Sequence, residues 1–314
     1  MSLDQFFCLI NYSPLFQCCF TFDISILVLS QPPSMKKSFL FFSFQILVLL
    51  LSAQPYVDPF QVRYTYAFRS GSDSRGTPFT HLWAGSDLPV KIKNNTYLLL
   101  SPFYENWQID SASVKNIQPT VHSIALPIGL ILPLKNKKWT MVINPIVRTN
   151  GEELFAKNTF QFGGVGFFGY ERSPGQKIRF GAYMNSDLFG LFFMPLLGAD
   201  WKMDERNYFF GLLPGRFTWE HKFNSHLFGG MTFRAITNSY RLSDGQYLRI
   251  DDNQLSAYLD LYPAKNICFT LEPGYGILRK LRTGTEKKIY TTTDKWGDGF
   301  FIKLSAAYRV RLKK

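Results

Sequence analysis

The feature that most limits what this chain can fold into is alternation. Beyond residue 60, apolar and polar side chains change places residue by residue over long stretches. Val62, Tyr64, Tyr66 and Phe68 alternate with Gln61, Arg63, Thr65, Ala67 and Arg69. Near the C-terminus Phe300, Ile302, Leu304, Ala306, Tyr308, Val310 and Leu312 alternate with Lys303, Ser305, Ala307, Arg309 and Arg311. Successive side chains of a strand point to opposite faces, so each segment has one oily face and one polar, charged face. A soluble β-sandwich also alternates but seldom needs strands this long. A tilted strand of about 9 to 11 residues is what crosses a bilayer.

A second period precedes the strands. Residues 36–52 read KKSFLFFSFQILVLLLS: two lysines after Met35, an apolar run from Phe39 to Leu51, then Ser52, Ala53 and Gln54. This is the order of a secretory signal, and the run is shorter than the ~20 residues a membrane helix needs. Cleavage is expected after Ala53. Residues 1–34 serve no purpose upstream of a signal and are read as an extension from an early start codon. The expected organisation is thus 1–34 extension, 35–53 signal peptide and 54–314 barrel.

Removing residues 1–53 clarifies the rest of the composition. Lys36 and Lys37 balance Asp4 and Asp23, so the mature chain keeps the net charge of +12. Its basic residues are spread along strands and turns without a dense cluster, which argues against nucleic acid and for a basic interior or contact with anionic head groups. Cys8, Cys18 and Cys19 leave with the export segment. Cys268 remains, too few for an internal disulfide or a zinc site. No cofactor is expected.

Connections alternate in length. Short polar ones fall at Asn94-Asn95, 135–138, 173–176, 204–207, 224–225 and 263–266. Longer ones span 70–86, 106–118, 149–158, 237–252 and 282–298. Two further outer connections are short, at 185–190 and at Pro214-Gly215. Outer-membrane barrels have short periplasmic turns and longer outside loops. Trp139, Trp201, Tyr208, Phe223 and Tyr262 lie beside the short turns, where amphipathic rings suit a membrane interface. The expected fold is therefore all-β: a transmembrane antiparallel up-and-down β-barrel of 12 to 14 strands in the bacterial outer membrane, both ends periplasmic. Its expected partners are outer-membrane lipid, periplasmic chaperones, the barrel assembly machinery and a small solute.

The ending LLLSAQ of the export segment, the stretch GADWKMDERNYFFGLLPGRFTWEHKF (198–223) and the closing FFIKLSAAYRVRL together resemble a family of uncharacterised Bacteroidota outer-membrane β-barrels. The likeness covers roughly residues 55–312 and implies location and fold without an activity. Barrels of this type often end in an aromatic residue, whereas this chain ends Leu312-Lys313-Lys314.

Alternation places Arg63, Arg69, Arg148, Arg179, Arg216, Glu220, Lys222, Asp260, Glu272, Lys303, Arg309 and Arg311 on the inner face. Such a set either lines a wet, basic pore for small polar or anionic solutes or pairs into a filled lumen. A third reading, an outer-membrane lipid hydrolase, rests on His221 and Ser225 alone. Gly164–Gly169 fits GxGxxG, but Phe160, Phe162, Phe168 and Tyr170 continue the alternation through it, so these glycines relieve crowding or bend a strand and do not cradle a dinucleotide. Asp251-Asp252, Asp294 and Asp298 lack the spacing of a calcium loop and read as solvated loop residues.

Overall fold

A computed structural model describes residues 55–69, 77–93, 96–110, 120–285, 287, 289–295 and 297–311. The expected extension, the signal peptide, the Asn94-Asn95 turn and the terminal Leu312-Lys313-Lys314 lie outside them. Every regular element among the described residues is a strand: β1 (Tyr56–Ala67), β2 (Phe79–Gly85), β3 (Leu88–Lys93), β4 (Thr96–Leu100), β5 (Phe103–Ile109), β6 (Thr120–Pro133), β7 (Trp139–Gly151), β8 (Phe160–Ser173), β9 (Gln176–Asp187), β10 (Gly190–Lys202), β11 (Asn207–Leu213), β12 (Arg216–Lys222), β13 (Leu227–Arg241), β14 (Tyr247–Ala264), β15 (Ile267–Gly284), β16 (Thr292–Lys295) and β17 (Gly299–Arg311).

These seventeen segments make a closed barrel of 14 staves. Each stave pairs antiparallel with its sequence neighbour, and β17 returns to β1 in register from Tyr56↔Arg311 to Ala67↔Phe301. The β2–β3 and β4–β5 pairs are single staves interrupted at Ser86-Asp87 and at Ser101-Pro102. β2 and β3 pair with β5 and β4 respectively, and β4 and β5 both pair with β6; β2 alone of the first two also pairs with β1. The short β16 is a flap on the outer end of β15. Closure matters because hydrocarbon offers backbone groups no hydrogen bonds, so only a sheet without edges can span it.

The alternation read from sequence becomes an outer belt. Tyr64, Leu126, Ile143, Phe168, Phe180, Phe193, Leu259, Leu271 and Leu304, each from a different stave, are exposed on the outside. A lipid-facing charge in such a belt is costly. Leu304, at mid-stave between Tyr64 and Leu271, provides the test. Leu304→Arg is expected to destabilise the barrel by about 2–4 kcal/mol in urea unfolding from lipid vesicles. A loss below about 0.5 kcal/mol would move Leu304 away from the hydrocarbon centre.

Short turns gather at one rim and longer connections at the other, with 188–189 and 214–215 as the two short outer turns. Several details depart from expectation, among them that the expected outer loop 70–86 contains β2 (Phe79–Gly85). Trp139, Trp201 and Phe223 do face outward or lie exposed at the short-turn rim, but Tyr262 is buried inside against Phe228 and Cys268, and Tyr208 shares its inward face with Phe210 and Leu212. Closeness to a turn places a ring at the right height, whereas strand parity decides its face. The expected outer loop 237–252 is mostly strand, the tip of a long β13–β14 hairpin. In β8, the inward Gly163 lets β9 approach: a Cβ there would collide with the Asn185 side chain.

Candidate functional site in the barrel interior

The inner face collects the charged residues because they occupy every second position of their staves, and side chains fill most of the space it encloses. At the periplasmic end, Arg309 donates from Nε and Nη2 to both oxygens of Asp58 (2.6 and 2.7 Å) and from Nη1 to Asp260. Arg311 grips Glu220 through both Nη groups (2.8 and 2.9 Å), donates to the Tyr262 hydroxyl and lies over the Phe228 ring at 3.3 Å. These bidentate pairs join β1, β12, β14 and β17 across the floor of the barrel. Planar, doubly bonded guanidinium–carboxylate pairs are the strong form of this interaction.

One wall above the floor is apolar. Val142, Ile146, Val165, Phe167, Tyr183, Met194, Leu196 and Leu212, from β7 to β11, form a buried cluster. Arg179 is buried beside it and pairs with Asp200 on the neighbouring stave. The opposite wall is basic: Arg63, Arg216, Arg234 and Lys303 face inward, with Glu272 bound to Lys303 at 2.7 Å.

The outer mouth is closed by the barrel's own hairpin. Alternation of burial stops at Arg234 in β13, and from there to Tyr240, and from Tyr247 to Gln254 in β14, both faces are buried. This hairpin tip bends across the opening and meets staves on the far side. Arg241 pairs with Gly151 of β7 in a parallel bridge, and Glu152 N–H donates to the Arg241 carbonyl. One face carries Ile236, Tyr240, Leu248 and Ile250 onto Phe79, Trp107, Ile109 and Val121. Polar groups fix the register. Glu105 accepts from Tyr240 Oη and Asn238 Nδ2 (2.8 Å each) and faces His81 Nε2 at 3.2 Å. Arg148 donates to Gln161, Asn238 and Asp187 at 3.0, 2.8 and 3.0 Å. Ser239 donates to Asp187 and accepts from the Leu188 N–H through its hydroxyl, while its carbonyl accepts from Asn150 and Gln161. Nearly all of these are side-chain bonds, so the hairpin is held without a continuous backbone ladder to the far wall.

Of the twelve sequence-predicted residues, Arg63, Arg148, Arg179, Glu220, Asp260, Glu272, Lys303 and Arg309 are buried inside the barrel, and Arg216 and Arg311 are partly buried there. Two lie elsewhere. Arg69 follows the end of β1, is 59% exposed and pairs with Asp110, and Lys222 is exposed where β12 ends at the short-turn rim. Both have inward parity, but parity has no meaning beyond the end of the stave. Asp251 and Asp252, expected in solvated loop, are buried. Asp251 binds Arg249 and Arg282, and Asp252 binds Arg279 at 2.7 Å. Among the described residues no three His, Cys, Asp or Glu side chains converge as a metal site. His221 is bonded to Asn207 (2.8 Å) and Ser225 to His226 (2.9 Å), so these two candidates have separate partners.

Sequence reading missed Asp58, Glu105, Asp187, Arg234, Arg249 and Arg279. Arg234 was legible, since it alternates with Phe233 and Ala235 as Arg63 does with its neighbours. Asp58 was not, because β1 is irregular between Val57 and Phe60 and parity fails there.

A closed sheet with an apolar outside and a charged inside defines an outer-membrane β-barrel protein. No family model matches its sequence, and no curated protein matches it. Solved structures that resemble it include an outer-membrane channel from Pseudomonas putida F1 (8% identity, 80% of this chain and 94% of that one, TM-score 0.44). Others are the NanC porin (11%, 79% and 98%, 0.36) and the P. putida toluene transporter TodX (9%, 85% and 92%, 0.30). At such identities and scores the likeness defines neither a solute nor a mechanism.

Proposed function

We propose that this barrel passes small polar or anionic solutes across the outer membrane and that the β13–β14 hairpin governs whether it is open. The observation that carries this reading is the closure itself. The mouth is occluded by strands continuous with the wall, held on the far side by side-chain hydrogen bonds among Glu105, Arg148, Asp187, Asn238 and Tyr240. Such contacts exchange readily with water once the hairpin lifts, because each is worth only about 0.5–1.5 kcal/mol net, or about 1.5–3 where a charge takes part. Beneath the hairpin the basic wall would concentrate anions and discourage cations.

In a planar bilayer with a salt gradient, openings of the refolded protein are expected to reverse near the anion potential. Reversal on the cation side would defeat the anionic reading. A second reading, a closed barrel whose outer surface does the work, is favoured by the apolar cluster of β7 to β11, which fills its side of the interior. A folded, heat-modifiable barrel without any current would support that reading and overturn solute passage.

A further inference from the structure

The basic wall carries more positive charge than its neighbours balance. Arg63 of β1, Arg216 of β12 and Arg234 of β13 line one cavity with Arg309, Asp260 and Glu272. The cavity is about 20 Å³, more than the ~10–15 Å³ that a single water needs. Both carboxylates are already engaged: Asp260 by Arg309, Glu272 by Lys303 at 2.7 Å. Among the described residues no carboxylate forms an ion pair with Arg63, Arg216 or Arg234, and Nε of Arg63 and Nε of Arg234 are buried without an acceptor. Arg63 is 5% exposed and Arg234 4%.

Backbone pairing forces the crowding. Arg216 and Arg234 are register partners on β12 and β13, so their side chains leave the same face side by side. Arg216 reaches only neutral oxygens, Thr218 Oγ1 and Tyr56 Oη, at 3.3 Å each. Arg63 rests on the Trp83 ring at 4.0 Å. A guanidinium keeps its proton, so burial cannot be relieved by neutralisation, and a buried charge without a partner is costly. Buried Arg63 and Arg234, with the partly buried Arg216 beside them, compound that cost around one cavity unless something negative sits between them.

We propose that this cavity is a binding site for a small monovalent anion of the size of chloride or formate, held by Arg63, Arg216 and Arg234. Guanidinium forks suit an oxyanion better than a sphere, because two parallel N–H donors match two carboxylate oxygens. Formate therefore binds more tightly than chloride. As a resting place for a permeating anion the site rests on the solute-passage reading, whereas its occupancy can be measured without any current.

The test uses the folded barrel in detergent micelles in sodium gluconate, whose anion is too large for the cavity. Sodium formate or sodium chloride is exchanged in at constant ionic strength while tryptophan fluorescence and the unfolding temperature are followed. Trp83 beneath Arg63 supplies the optical signal. A saturable response is expected, with formate half-saturating at lower concentration than chloride. Arg234→Gln should weaken it on the order of tenfold while Arg234→Lys retains most of it, as loss of one charged donor implies. A response without saturation, or one identical in Arg234→Gln, would overturn the site. Should Arg234→Gln not fold, the native titration decides alone by its saturation. Saturable binding in a barrel that never conducts would defeat passage and leave the site standing; conduction without saturable binding would defeat only the site.

Discussion

Joining Ile236 directly to Asp252 through an Asn-Gly turn in place of residues 237–251 is expected to raise the single-channel conductance on the order of tenfold, since a barrel of this strand number lies between filled eight-strand barrels and open sixteen-strand pores. Ile236 and Asp252 are register partners, so a two-residue turn rejoins the staves without shifting either one. The deletion removes Asn238, Ser239 and Tyr240 from the mouth and leaves Glu105, Arg148 and Asp187 facing water. Because the tip contributes no outward belt, the shortened barrel should still fold and keep its heat-modifiable mobility. An unchanged conductance in a folded variant would mean that the floor and the apolar wall block the path by themselves. The hairpin would then be a structural cover.

The second large effect concerns the floor. Arg309→Met removes the one cation that holds both Asp58 and Asp260. The change leaves Asp58 without its cation and Asp260 with only the longer pair to Arg311 at 3.8 Å. Breaking a buried ion pair typically costs about 3–5 kcal/mol, and the loss should appear in urea unfolding from lipid vesicles. Adding Asp58→Asn and Asp260→Asn to Arg309→Met should recover much of it, because replacing a buried ionic group as a whole is often nearly neutral. Thr270 donates to Asp260 at 2.6 Å and would keep a partner in the triple variant. A cost below about 1 kcal/mol for Arg309→Met alone would show that water reaches these carboxylates and that the floor is no dry seal.

The two experiments separate the ends of the barrel. The mouth is closed by an apolar contact and by single hydrogen bonds between charged wall residues and neutral hairpin residues, whereas the floor is tied by bidentate guanidinium–carboxylate bonds between staves distant in sequence. If solute moves through this interior, the mouth is the part that moves first.

What the sequence determined by itself was everything that depends on a stave and its immediate turn. Period-two alternation requires one oily and one polar face, and strands long enough to cross a bilayer with connections of alternating length require a closed antiparallel sheet, so barrel and belt were legible and the strand number was narrowed to 12 to 14, of which the structure has 14. Inward parity likewise located Arg63, Lys303 and Arg309 from their neighbours alone. The tertiary structure decided what lies across the barrel. Residues 237–252 read as loop because polar and apolar side chains mix there without a clean period. They are strand with both faces buried, since one face meets the wall of β2, β5 and β6 and the other meets β7 to β9. Asp251 and Asp252 read as solvated for the same reason and are buried against Arg249, Arg282 and Arg279. Alternation is a local property that reports which face a side chain is on. Whether that face meets water, an arginine or the tip of a distant hairpin depends on closure, which joins residues far apart in the chain and leaves no periodic mark.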